Sequence, residues 1–379
     1  MFALTNCDVF CGTDVISDQA ILIHGDRIAD LVPLTDLPSE IESVDLKGAN
    51  VAPGFIDLQV NGGGGVLVDG QISDEGLRSI STAHRRYGTT AFLPALISSS
   101  PQDAICVIDV VRRAMSCPEL GVLGLHMEGP YLNPEKAGVH DKQQTRKATA
   151  DEVMWLVGHG RDTVRLMTAA PEMLDNEALT LLQESSWRLS IGHSNDHYAP
   201  TMDALTQGFS CVTHLFNAMS QFGSREPGIV GAAFDSRSGC ASIIADGFHV
   251  DYAAVRVAKK VMRDRLFLVT DAMPPVGSDD DHFTLGQYKV ERTAGKLTTS
   301  DGVLAGSCLD MASAVRNSIQ QVGIIMPEAL RMASLYPARV LGIDHEYGLV
   351  KKGYKADLVI FNTQIQVLGT IKNGQIAMH

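Results

Sequence analysis

Eight short apolar runs recur through the middle of this chain, at residues 53–60, 90–97, 121–127, 163–169, 188–192, 210–214, 241–245 and 265–270. That recurrence constrains the fold more than any other feature. The runs are near-continuous in apolar residues, as strands buried on both faces are, rather than alternating. Between them the spacing turns helical: in "DYAAVRVAKKVMRD", Val255, Ala258 and Val261 are predicted to share one face. Strands and helices alternating eight times predict an α/β fold, a closed (β/α)8 TIM-type barrel. An open doubly wound sheet is the alternative, but no Gly-x-Gly-x-x-Gly turn follows the first strand. The two ends read differently. Residues 1–50 and 348–379 hold short strands and turns, such as "AILIHGDRIADLV" around Gly25-Asp26 and "ADLVIFN" near the end. They are predicted to pair into a small β-sandwich domain, leaving 51–347 as the catalytic barrel.

Several partner classes drop out on composition. No run approaches the roughly 20 apolar residues of a membrane span. "MFALTNCDVF" lacks the basic flank and apolar core of a secretory signal. The seven cysteines are scattered, and no second pair stands near Cys7 and Cys11 to complete a zinc site, so reduced thiols in a cytoplasmic protein are expected. The formal net charge is −13 without a basic cluster, which argues against nucleic acid. An anionic substrate would need local cations against that field.

Chemistry in such a barrel sits where strands end. The polar residues at those positions are Gln59 and Asn61, His126 and Glu128, His193, His214, Asp246 and His249, and Asp271. Several histidines and carboxylates together on one rim have the composition of a divalent metal site. His126 has a plainer reading, as a satisfied core residue, and Asp57 as a turn cap. Asp271 at a strand end would be costly without a metal or substrate partner.

The segments "PGFIDLQVNG", "GLHMEGPYLN", "IGHS", "THLFNAM", "REPGIVGAAFD", "IADGFHVD", "LVTDAM", "GVLAGSCLDM" and "RMASLYPARVLGI" resemble, in order and over essentially the whole chain, the amidohydrolase superfamily. Within it they are similar to the N-acetylglucosamine-6-phosphate deacetylase family. The resemblance implies one divalent metal, zinc, on Glu128, His193 and His214, with Asp271 as general base and acid. It implies His140 near the acyl group, and Val139, Asn217, Ala218, Ala305, Gly306 and Ser307 around the sugar. Arg225 and His249 are implied to recognise the phosphate, with Arg225 reaching in from a neighbouring subunit of a dimer or tetramer. Many superfamily members carry His-x-His where this chain has Gln59-Val60-Asn61. Neutral amides are poor ligands for transition metals, so a second metal is not expected, and Gln59 and Asn61 are expected to hydrogen-bond around the pocket.

The implied reaction is deacetylation of N-acetyl-D-glucosamine 6-phosphate to D-glucosamine 6-phosphate and acetate. The alternatives are the galactosamine epimer, or a deaminase or cyclic-amide hydrolase of the same superfamily. A non-catalytic metabolite-binding protein would show a broken ligand set or lack Asp271, and neither is seen.

Overall fold

In the computed structural model, which describes residues Met1–His379, each of the eight apolar runs holds one strand. The strands are β1 (Phe55–Val60), β2 (Thr89–Ile97), β3 (Leu125–Glu128), β4 (Val164–Ala169), β5 (Arg188–Ile191), β6 (Phe209–Val212), β7 (Cys240–Ile243) and β8 (Leu266–Leu268). Neighbours in sequence are neighbours in space, all parallel. The ring closes just past the last strand, where Val60 and Ala272 form a parallel bridge and the Asn61 amide donates to the Ala272 carbonyl at 2.8 Å.

Helices start where a short polar side chain can accept from the free N–H groups of the first turn. Ser73, Ser100, Thr149 and Asp175 each do so, a contact worth about 1 kcal/mol. In the helix Tyr252–Met262 the buried face is Val255, Ala258 and Met262, while Val261 is exposed. The step from 258 to 262 follows the helical period more closely than the predicted step to 261.

The chain ends build a mixed sheet. From one edge to the other its main path is Gln375–Met378, Val367–Lys372, Leu358–Phe361, Glu42–Pro53, Phe2–Phe10, Gln19–His24 and Arg27–Pro33. Its central strands are buried on both faces. Val51, Leu358 and Ile360 face a core of the sheet's own, while Ala52, Val359 and Phe361 join the barrel's core. Val359 and Phe361 each stabilise the junction by roughly 1.5–3 kcal/mol relative to exposure. A second, unforeseen sheet follows β8. Its four antiparallel strands are His282–Leu285, Tyr288–Thr293, Lys296–Thr299 and Leu304–Ser307. It has its own core of Met273, Leu285, Val290, Leu297 and Ala305, and its last strand returns to the barrel through a bridge between Ala272 and Ser307. No helix is long and apolar enough to cross a membrane.

Candidate active site

Glu128 is the last residue of β3, while His193, His214 and Asp271 follow β5, β6 and β8 by two or three residues. All three of those followers have positive φ, at +49°, +34° and +53°. Non-glycine residues seldom sit in this left-handed region, and strain there collects at functional sites. It turns the chain sharply at the strand end.

The side chains meet over the barrel mouth, and all are buried. His214 Nε2 lies 2.9 Å from Glu128 Oε1 and 3.1 Å from His193 Nε2, and His193 Nε2 lies 3.3 Å from Glu128 Oε1. Ligand atoms about 2.0–2.1 Å from a tetrahedral zinc would stand about 3.3–3.4 Å apart, so this triangle fits one ion with little adjustment. His193 Nδ1 donates to the Lys136 carbonyl at 2.8 Å, which leaves the Nε2 lone pair for a metal. Glu128, His140 and His193 also each offer an atom within 4.8 Å of the others, a buried group able to hold a metal ion. His140 differs from His193 in one respect: its Nδ1 accepts from the Ser98 main-chain N–H at 3.2 Å, with Ser98 Oγ also 3.0 Å away. A neutral ring so held carries its proton on Nε2, which makes it a donor and not a ligand.

Gln59 Nε2 donates to Glu128 Oε1 at 2.9 Å and to Asp271 Oδ1 at 3.1 Å, and Asn61 Nδ2 donates to Asp271 Oδ1 at 2.6 Å. The carboxylates fix the amide orientation, since a carbonyl oxygen turned toward them would repel. The two amides therefore brace the carboxylates. Asp57 does not cap a turn. It is fully buried beneath the site and accepts from Thr270 and from the Gln59 N–H. His126 bonds through both ring nitrogens, to the Leu58 carbonyl at 3.0 Å and Thr168 Oγ1 at 2.8 Å, so no lone pair remains for a ligand role.

A cavity of about 510 Å³ opens above these groups. Asn61, Val139, Asn217, Ala218, His249 and Gly306 line it, together with the carboxylates and imidazoles already named. Asp246 Oδ2 takes His249 Nδ1 at 2.7 Å, leaving Nε2 as the free ring nitrogen. Gln59 braces the carboxylates without lining the cavity, and three further sequence-predicted residues are placed away from it. Ala305 packs in the core of the four-stranded sheet. Ser307 Oγ donates to the Thr270 carbonyl at 2.6 Å. Arg225 is exposed on the loop before the helix Gly228–Asp235 and is absent from the lining. Its neighbour Glu226 does not pair with it; that carboxylate accepts from the N–H groups of Tyr198 and Gly228. Sequence reasoning missed Ser98, which holds His140, and Leu304, Val303 and Met273, which wall the cavity.

The titration environment separates the two carboxylates. Burial alone would raise Glu128, but in the cation-free site the imidazoles of His193 and His214, by hydrogen bond and by charge, outweigh it and hold the carboxyl well below the usual range. Burial, followed by the negative charge of Glu128, pushes Asp271 up to about 6. Burial lowers His140 to about 3 and His126 to about 4, so both are neutral at pH 7. One acid is thus ionised and the other poised to exchange a proton, the pairing that acid–base sites use.

Sequence and structure comparisons identify the family. The profile described as Amidohydrolase family matches residues 50–377, and one described as NagA composite domain matches residues 1–51. The chain is 36% identical over 377 residues to N-acetylglucosamine-6-phosphate deacetylase of Haemophilus influenzae, covering 99% of this chain and 98% of that protein. It is 39% identical over 333 residues to N-acetylgalactosamine-6-phosphate deacetylase of a Shewanella species, covering 87% and 84%. The crystal structure of N-acetylglucosamine-6-phosphate deacetylase from Pasteurella multocida superposes with a TM-score of 0.96 at 37% identity, over 100% of both chains. This chain belongs to the amidohydrolase family.

Proposed function

From that membership and the cavity's chemistry we propose that the protein hydrolyses the acetamide of an N-acetylhexosamine 6-phosphate, with glucosamine 6-phosphate and acetate as products in the glucosamine case. The carrying observation is the convergence of Glu128 Oε1, His193 Nε2 and His214 Nε2 beside a buried Asp271, under a cavity large enough for a sugar. Those three atoms would hold one divalent cation, zinc by donor type, with His140 excluded by its tautomer. Such a cation supplies Lewis acidity, which strengthens water as an acid and the amide carbonyl as an electrophile.

The chain's own groups do the rest. Asp271 accepts a proton from the attacking water as the new C–O bond forms. It then donates that proton to nitrogen as the C–N bond breaks, so that an amine departs and not an amide anion. His140 Nε2–H is available to donate to the acyl oxygen as charge grows there. Asn217, Ala218, Val139 and Gly306 shape the sugar pocket, and His249 Nε2 meets the phosphate.

Arg225 is assigned to the same phosphate from a second copy of the chain. It is exposed and lies outside the cavity of its own subunit, so a role in trans requires a homo-oligomer. All seven cysteines are free thiols, which suits the cytoplasm.

The deciding assay follows amine release from N-acetylglucosamine 6-phosphate and N-acetylgalactosamine 6-phosphate, each with cation-loaded and chelator-treated protein. Turnover of at least one, lost on chelation and restored by zinc, is the expected result. No turnover of either by loaded protein overturns the proposal. The galactosamine reading has its own support in the 39% identity to the Shewanella protein, and the ratio of the two rates decides between the epimers.

A further inference from the structure

Asp57 is a buried carboxylate that the reaction leaves unused. It lies on β1, and its partners span the seam at which β1 meets β8. Its carboxyl accepts from the Gln59 N–H at 3.2 Å, from the Thr270 N–H at 3.3 Å and from the Thr270 hydroxyl. Across this seam the main-chain bonds run from the Asp271 N–H to the Gln59 carbonyl and from the Asn61 and Gly62 N–H groups to the Ala272 carbonyl, whereas the Thr270 N–H meets the Asp57 carboxyl. Asp57 therefore carries the connection at Thr270 with side-chain bonds.

Thr270 immediately precedes Asp271, whose left-handed backbone persists only if its surroundings over-determine it. Those surroundings are few. The Asp271 N–H donates to the Gln59 carbonyl at 3.0 Å, and the Ser307 N–H donates to the Asp271 carbonyl at 2.9 Å. Asp57 anchors the residue before Asp271 and also Gln59, whose side chain grips the Asp271 carboxyl.

We propose that Asp57 is a positioning residue for Asp271, setting across the barrel seam where Gln59 and the Asp271 carboxyl meet. This rests on the reading of Asp271 as the base. A residue that merely held the fold would change thermal stability and leave turnover by the folded enzyme intact.

The test compares Asp57→Ala, Asp57→Asn, Thr270→Val and Asp271→Asn in cation-loaded enzyme. It reads kcat, KM, metal content and amide hydrogen exchange over residues 266–273. Asp57→Ala is expected to lose about 10²-fold in kcat, the cost of a misplacement near 1 Å. KM should stay within about threefold, metal content should be unchanged, and exchange over 266–273 should be faster. Asp57→Asn should recover most of the rate, because its oxygen can accept both main-chain N–H groups and its amide can donate to the Thr270 hydroxyl. Thr270→Val should lose less than Asp57→Ala, in the same direction, and it decides the matter if Asp57→Ala does not fold. Wild-type kcat in the folded variants overturns the inference, as does an Asp57→Asn no better than Asp57→Ala. If the wild type itself lacks deacetylase activity, the functional reading fails instead, and unchanged exchange over 266–273 would then overturn the positioning role separately.

Discussion

At the barrel axis Glu128 and Asp271 are buried and held by Gln59, Asn61 and the imidazoles, while Arg225 stands exposed on a loop outside the cavity lining. His249 is intermediate, tied to Asp246 on one ring nitrogen and free on the other. The contrast teaches where each task can be placed. Proton transfer needs groups fixed to a fraction of an ångström, and a single folded chain achieves that by burying and bracing them. Recognition of a phosphate, the role proposed for Arg225, needs a strong cation that can also release product, and an exposed loop can present one.

The largest effect should come from the axis. Asp271→Asn keeps the shape and removes the proton acceptor, so turnover should fall by about 10²–10⁴-fold. Metal content and melting temperature should stay near wild type. A near-normal rate across neutral pH would remove Asp271 from the chemistry and break the contrast on its buried side.

The exposed loop should respond more weakly and more selectively. Arg225→Ala is expected to lower kcat/KM for the phosphorylated substrate by about 10–100-fold, the worth of one or two charge-assisted hydrogen bonds. Unphosphorylated N-acetylhexosamine should be nearly unaffected. Mixing Arg225→Ala with Asp271→Asn subunits should restore part of the activity, because some hybrid sites then have an intact base and an intact neighbouring arginine. Confirmed hybrids without rescue would place Arg225 in its own subunit's site, and both ends of the cavity would then belong to one chain.

A pH profile sharpens the axis further. Asp271 must be ionised to accept a proton, and burial with the Glu128 charge places its cation-free value at about 6. As pH falls through that value the base is protonated, so kcat/KM should drop about tenfold per unit on the acid side and level off above. A bound cation favours the carboxylate and moves this limb lower. A limb above pH 7 would contradict the assignment.

How much could be read in advance followed the range of the interactions. The barrel was legible because each strand declares itself in a local apolar run. The sheet at 282–307 was not, although Gly286-Gln287 and Ala294-Gly295 mark its turns, because polar residues interrupt its apolar positions. Glu128, His193, His214 and Asp271 stood out as polar residues at strand ends. Ser98 did not, since it meets His140 across 42 residues with no local pattern to announce the contact. Asp57 was visible as a carboxylate in an apolar strand, yet its partner Thr270 lies 213 residues away, and only the closed barrel brings them together.

The most direct measurement on the buried end is a cation titration. Chelator-stripped protein is given zinc in small increments while amine release and bound metal are followed together. With Gln59 and Asn61 bracing carboxylates in place of ligating, activity should rise linearly and break at one equivalent per chain. A break at two equivalents, with activity lost on removing either, would mean that the amide pair helps to hold a second ion and would contradict the single-cation site.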